Sequence, residues 1–283
     1  MRQISGLTEI IDAYDGLVVD LWGVMHNGKA LFPQAVAALT TAKAAGKSVT
    51  LLSNAPRRRT AALAALEALG LPSHLFDDLV TSGQVAWQAL SDGYADPWGP
   101  TCYFLGAEKD MGIQQGLDHL AFMSDETAID QADWILNVGP ETGQTDTGPF
   151  VPLLHQAQQR ALPMICANPD LIVQRGTSME ICAGSIAKAY AELGGDVVWF
   201  GKPHRAVYDA VYQASGATAQ RLLAVGDSFK TDVRGANAQG MDVLYVNTGI
   251  HGADIGRPLS MDRIAQLSEE NQAVPTYVAE AFK

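Results

Sequence analysis

Short β-branched runs alternate along this chain with longer stretches in which small apolar residues recur every three or four positions. GLVVD at 16–20 reads as a strand, and Pro33 then opens an Ala-rich stretch, PQAVAALTTAKAAG, that Gly46 closes as a helix. SVTLLSN follows as a second strand, RRRTAALAALEALG over 57–70 has helical periodicity, and DDLVTS over 77–82 predicts another strand. The C-terminal third repeats the rhythm with DVVWF at 196–200, a helix over RAVYDAVYQASG, RLLAV at 221–225, a helix over TDVRGANAQG, and MDVLYV at 241–246. Strands alternating with helices of this length imply βαβ units, a parallel sheet and right-handed crossovers. The last twenty residues predict no more than a polar helix or tail.

Between these halves the pattern changes. Residues 86–185 are richer in turn signals, DGYADPWGP and GPETGQTDTGP among them, and carry strands of their own in TCYFLG, DWILNVG and PMICAN. The expected architecture is α/β: a doubly wound, Rossmann-like core from 1–85 and 186–283, interrupted by an inserted α/β cap over 86–185.

Charge narrows the function. Among 283 residues, 31 are acidic and 19 basic, giving a net charge of −12 and a pI near 4.8. A non-specific nucleic-acid binder needs a dense basic footprint, so that class is excluded. No apolar run approaches the ~20 residues of a membrane helix, and MRQISGLTEIID carries acids where a signal peptide would be apolar. The expected compartment is the cytoplasm, with no membrane partner; self-association into a homo-oligomer is left open. Three cysteines, an odd number without metal-ligand spacing, read as free thiols.

Polar clusters follow directly on four predicted strands: Asp20 after GLVV, Ser53 and Asn54 after TLL, Gly201 and Lys202 after VVWF, and Gly226 with Asp227 after LLAV. Parallel strands would gather these along one carboxyl edge, where such folds bind ligands. Asp20, Asp227 and Asp232 offer only oxygen ligands, which suit a hard cation such as Mg2+. Ser53 and Asn54 could donate hydrogen bonds to an anion beside it, and Lys202 adds a full positive charge. One nucleophilic carboxylate, one metal, one lysine and neutral donors make a phosphoryl-transfer kit for a small phosphorylated substrate.

VVDLWGV, LLSN, GKP and VGDSFKTDVRGA, in this order, resemble the four motifs of the haloacid dehalogenase superfamily. The insertion, with ANPD at 167–170 near its end, is similar to the class IIA branch of sugar-phosphate, nitrophenyl-phosphate and pyridoxal-phosphate phosphatases. The resemblance implies a Mg2+-dependent phosphatase with Asp20 as nucleophile and an aspartyl-phosphate intermediate. It implies that Asp20, Asp227 and the main-chain carbonyl of Trp22 bind Mg2+, and that Ser53 and Asn54 hold the phosphoryl group. By the same resemblance Lys202 would neutralise that group, and Asp232 would orient Lys202 or a metal-bound water. The family usually has a second Asp two residues after the nucleophile, a general acid; here Trp22 stands there. That departure keeps two alternatives in view, a catalytically weak binding or regulatory protein and a halide- or phosphonate-cleaving relative. His26 is a candidate replacement acid, Asn168 and Asp170 are candidate substrate-binding residues, and the RRR run at 57–59 reads as a solvated face.

Overall fold

The computed structural model describes residues 1–175 and 178–283. In chain order the strands are β1 (Arg2–Gln3), β2 (Gly16–Asp20), β3 (Ser48–Ser53), β4 (Asp78–Thr81), β5 (Thr101–Leu105), β6 (Ala121–Met123) and β7 (Trp134–Asn137). They continue with β8 (Met164–Cys166), β9 (Ile172–Arg175), β10 (Ser178–Ile181), β11 (Val197–Trp199), β12 (Leu222–Gly226), β13 (Asp242–Val246) and β14 (Tyr277–Ala279). They form a seven-stranded sheet in the order β1-β14-β13-β12-β2-β3-β4, a five-stranded sheet β11-β8-β7-β5-β6, and the antiparallel hairpin β9-β10. The larger sheet is parallel from β1 through β3, and the smaller one is parallel throughout. The α/β class and its parallel sheets are therefore as the sequence pattern implies.

The larger unit comprises Met1–Ser53, Leu63–Val80 and Lys202–Lys283. Its central strands β2 and β12 are buried along their whole length, which explains why both read as continuous apolar runs and not as alternating ones. The flanking helix Pro33–Ala44 starts with Pro at its first turn and packs Ala35, Ala38, Leu39 and Ala42 inward, a 3–4 spacing. The tail is more structured than its sequence suggested. Helix Met261–Asn271 is capped by the Ser260 side chain, and β14 inserts between β13 and β1. A three-residue strand is too short to register as a pattern.

The second unit comprises Asn54–Ala62 and Thr81–Gly201. It reaches further at both ends than the expected 86–185, for identifiable reasons. Ala55 O accepts from Gly83 N (3.1 Å) and from the Ser82 hydroxyl (3.1 Å), while the Thr81 hydroxyl donates to Arg57 O (2.6 Å), so segment 54–62 and helix Ser82–Ser91 are bonded together. At the far end, VVWF does not join the larger sheet. It forms β11, an edge strand of the smaller sheet, with Val197, Val198 and Trp199 opposite Met164, Ile165 and Cys166. The core of this unit is built from Ile135, Leu154, Met164, Ile186, Ala187 and Tyr190 with their neighbours. All three cysteines are buried, and none is in a disulfide.

Candidate active site

Register brings the reactive side chains of the larger unit to one edge. Val19 lies opposite Val225 on β12, and Asp20 lies opposite Leu52 on β3, so Asp20, Ser53 and Asp227 all stand at the carboxyl ends of adjacent strands. After β12 the chain makes one wide turn, Phe229–Val233, in which Asp232 N and Val233 N both donate to Ser228 O (3.0 Å each). That turn folds Asp232 back over Gly226, where a Cβ would lie 2.2 Å from the Asp232 Cβ and Cγ. Oxygens of Asp20, Asp227 and Asp232 consequently lie within 4.8 Å of one another, all buried.

Lys202 reaches this cluster although β11, the strand before it, belongs to the other sheet. Its Nζ, 3% exposed as a residue, donates to Asp20 Oδ1 (2.5 Å), Asp232 Oδ1 (2.7 Å) and Leu52 O (3.3 Å). Three carboxylates against one ammonium leave a formal charge of −2 when all are ionised. Lys202 bonds two of the three. Asp227 is the remainder, and burial followed by the charges of Asp20 and Asp232 pushes its carboxyl well above the ordinary range, against the pull of the Ile250 N–H and Lys202. A buried carboxylate cluster with excess negative charge and only hard oxygen donors fits a divalent cation.

Asp227 is held in a cradle that only glycine permits. A Cβ on Gly249 would fall 1.4 Å from Asp227 Oδ2, and one on Gly23, whose φ is +84°, would fall 2.3 Å away. Ile250 N donates to the same oxygen (3.0 Å), and the Thr248 hydroxyl donates to Gly23 O (2.5 Å). Gly23 and the loop 247–250 were not singled out from the sequence. The signal was present, because Asn247 and Thr248 follow MDVLYV just as Asp20 follows GLVV.

Trp22 sits in a tight flap after β2. Its indole meets the His26 ring edge-on (centroids 5.4 Å, 77°), and a Cβ on Gly28 would lie 2.2 Å from the Trp22 ring. His26 Nδ1 accepts from Gly28 N (3.0 Å), and burial pushes the imidazole down to about 4. The ring is thus neutral near pH 7, with its proton on Nε2.

The other expected residues gather within the second unit. Asn54 Nδ2 donates to Asp170 Oδ1 (2.8 Å), and Asp170 N donates to Asn168 Oδ1 (3.0 Å). A Cβ on Gly201 would crowd Pro169 and Asn54 Oδ1 (2.4 and 2.8 Å). The arginine run is not a plain solvated face. Arg57 Nε pairs with the buried Asp110 (3.3 Å), and the Arg58 guanidinium lies 3.8 Å over the Trp87 ring while Nη1 donates to Gln115 O (3.0 Å).

Comparison with known proteins adds an independent line. The family model described as haloacid dehalogenase-like hydrolase matches residues 17–119, and a HAD-hydrolase-like model matches residues 199–282. A solved haloacid dehalogenase-like hydrolase from Brucella suis 1330 is 33% identical, with a TM-score of 0.83, covering 99% of this chain and 100% of that one. The 5′-nucleotidase YutF of Bacillus subtilis (strain 168) is 24% identical over 244 residues, 84% of this chain and 88% of its own. The glycerol phosphate phosphatase of Mycobacterium tuberculosis, solved in complex with magnesium, shares the fold at 23% identity and a TM-score of 0.69, covering 99% of this chain and 77% of that one.

Proposed function

Because the chain belongs to the haloacid dehalogenase-like hydrolases, we propose that it is a Mg2+-dependent phosphatase that hydrolyses a small phosphorylated metabolite through an aspartyl-phosphate on Asp20. The observation that carries this reading is the charge imbalance at the strand ends, three buried carboxylates around one lysine. The relatives named as a nucleotidase and a glycerol phosphate phosphatase support a phosphate monoester as substrate, and the magnesium complex supports the metal.

Asp20, Asp227 and the main-chain carbonyl of Trp22 would hold the cation. Bound there, it supplies positive charge that offsets the carboxylates and polarises a phosphoryl oxygen. Lys202 fixes the Asp20 carboxylate through Oδ1 and is itself held by Asp232, so nucleophile and counter-charge are oriented before substrate arrives. Ser53 and Asn54 donate to the phosphoryl oxygens, and Asn168 and Asp170 contribute to substrate recognition. An Asp20 oxygen bonds to phosphorus as the phosphorus–oxygen bond to the leaving group breaks. Water then attacks the phosphoenzyme, releasing inorganic phosphate and restoring Asp20.

Trp22 decides which leaving groups depart easily. The flap 21–32, LWGVMHNGKALF, contains no carboxylic acid, and its one histidine is neutral. General acid catalysis is worth ~10²–10⁴-fold, so acyl and aryl phosphates should outrun alkyl phosphates, and phosphoenzyme should accumulate. The same residue is the one observation favouring a slow, binding-type protein.

The test is phosphate release from a series of acyl, aryl and alkyl phosphates, with Mg2+ and with excess chelator, for the wild type and Trp22→Asp. Chelator should abolish turnover reversibly, and Trp22→Asp should flatten the leaving-group dependence. Full activity in chelator would remove the phosphatase assignment. A shallow dependence identical in both proteins would show that another group already moves the proton.

A further inference from the structure

The loop after β13 touches the metal site twice. Ile250 N donates to Asp227 Oδ2 at 3.0 Å, and two residues earlier the Thr248 hydroxyl donates to Gly23 O at 2.5 Å. Between them, Gly249 packs so closely on Asp227 that no side chain fits. One short segment therefore grips both a carboxylate and the backbone next to Trp22.

The second grip bears on the orientation of a carbonyl. The Trp22–Gly23 peptide is trans, so its N–H and C=O point in opposite directions. Gly23 N donates to His26 O (2.9 Å), which turns the Trp22 carbonyl away from His26. The flap side of this peptide is thus fixed by His26 O. Gly23 itself has a φ of +84°, a conformation that favours glycine, and turns the chain directly after this peptide. Thr248 holds the next carbonyl along, Gly23 O, and so ties the turn that carries Trp22 to the loop that grips Asp227.

We propose that Thr248 is a positioning residue for the metal: by holding Gly23 O it couples the turn that carries the Trp22 carbonyl to Asp227, which the same loop holds through Ile250. This rests on the assignment of Asp20, Asp227 and the Trp22 carbonyl as metal ligands. Groups that hydrogen-bond and orient metal ligands commonly change metal affinity by about 10–100-fold when removed. A single neutral bond on a main-chain ligand belongs at the lower end of that range.

The test is calorimetric titration of Mg2+ into the metal-free protein, which reads affinity without turnover. Thr248→Val keeps the shape and removes the hydroxyl; it should weaken Mg2+ binding about tenfold. Thr248→Ser restores the donor and should bind within about twofold of the wild type. In turnover assays, Thr248→Val should need more Mg2+ for half-maximal rate, with substrate KM unchanged and kcat recovered at saturating metal. Wild-type affinity in Thr248→Val, or equal losses in the Val and Ser variants, would overturn the inference. Asp227→Ala separates it from its premise. If that variant retains wild-type Mg2+ affinity, the ligand assignment fails; if it loses affinity while Thr248→Val does not, only the role of Thr248 fails.

Discussion

Each sheet carries a buried polar residue at the carboxyl end of a central strand, yet the two deal with it in opposite ways. In the five-stranded sheet β7 ends at Asn137, fully buried, whose amide donates to Ala183 O (3.0 Å) and to Met164 Sδ (3.6 Å) and accepts from Gly139 N (3.2 Å). The protein supplies partners for both ends of that amide. In the seven-stranded sheet β2 and β12 deliver Asp20 and Asp227, and Asp227 is left with a raised pKa and neighbouring negative charge. A position at the carboxyl end of a parallel strand is therefore not enough to make a reactive site. A neutral side chain there is absorbed by the fold, whereas a surplus of like charge needs something from outside.

The strongest way to break this contrast is to neutralise the charged end. Asp20→Asn keeps the shape but removes the proposed nucleophile, and should lower turnover by about 10⁴-fold or more while far-UV circular dichroism stays unchanged. Undiminished turnover would take Asp20 out of the mechanism. The converse change puts a charge where the fold expects none. Asn137→Asp should destabilise the protein by about 2–4 kcal/mol at neutral pH, measured by urea unfolding, because a buried carboxylate has no counter-charge and the bond to Ala183 O is lost. The loss should shrink as the pH falls and the carboxyl takes a proton. Equal stability to the wild type would show that the smaller sheet tolerates charge as readily as the larger.

The smallest expected effect concerns the flap beside the charged end, whose buried imidazole stays neutral. The folded pKa of His26 is about 4, below an unfolded value near 6.5. Between these limits the unfolded chain binds a proton that folded His26 refuses. Its contribution to stability is fully present above about pH 6.5 and is lost as the pH falls toward 4, on the order of 2–3 kcal/mol. His26→Phe, which keeps a ring against Trp22, should flatten this part of the acid limb in metal-free protein. An unchanged pH profile would show that His26 takes up its proton as readily in the folded state as in the unfolded one.

The charged end was legible because each acid closes a short apolar run: GLVVD and LLAVGD announce both the strand and the acid that ends it. Lys202 does lie at the carboxylate cluster, but its strand was assigned to the wrong sheet. VVWF carries no mark of which sheet it joins, and only its pairing with Met164–Cys166 decides. The partner of Asn54 was hidden by distance, since Asp170 lies 116 residues away and NPD is also an ordinary turn sequence. The Thr248–Gly249–Ile250 grip escaped for a different reason. Two of its three contacts use the backbone or the lack of a side chain, which residue type alone does not advertise.

The order in which the chain is made has a consequence for the central pair of strands. β2 pairs with β3 on one side and β12 on the other, and Asp20 meets Lys202 across 182 residues of sequence. At a translation rate of about 5–20 residues per second, β2 waits roughly 10–40 s for its second neighbour. During that interval its edge is open, its buried face has no lysine to meet, and residues 81–201 emerge with strands of their own. Refolding from denaturant removes this schedule and lets every edge compete at once. Because the middle of the larger sheet joins segments as far apart as Gly16 and Leu222, it should be the slow and concentration-sensitive step in refolding.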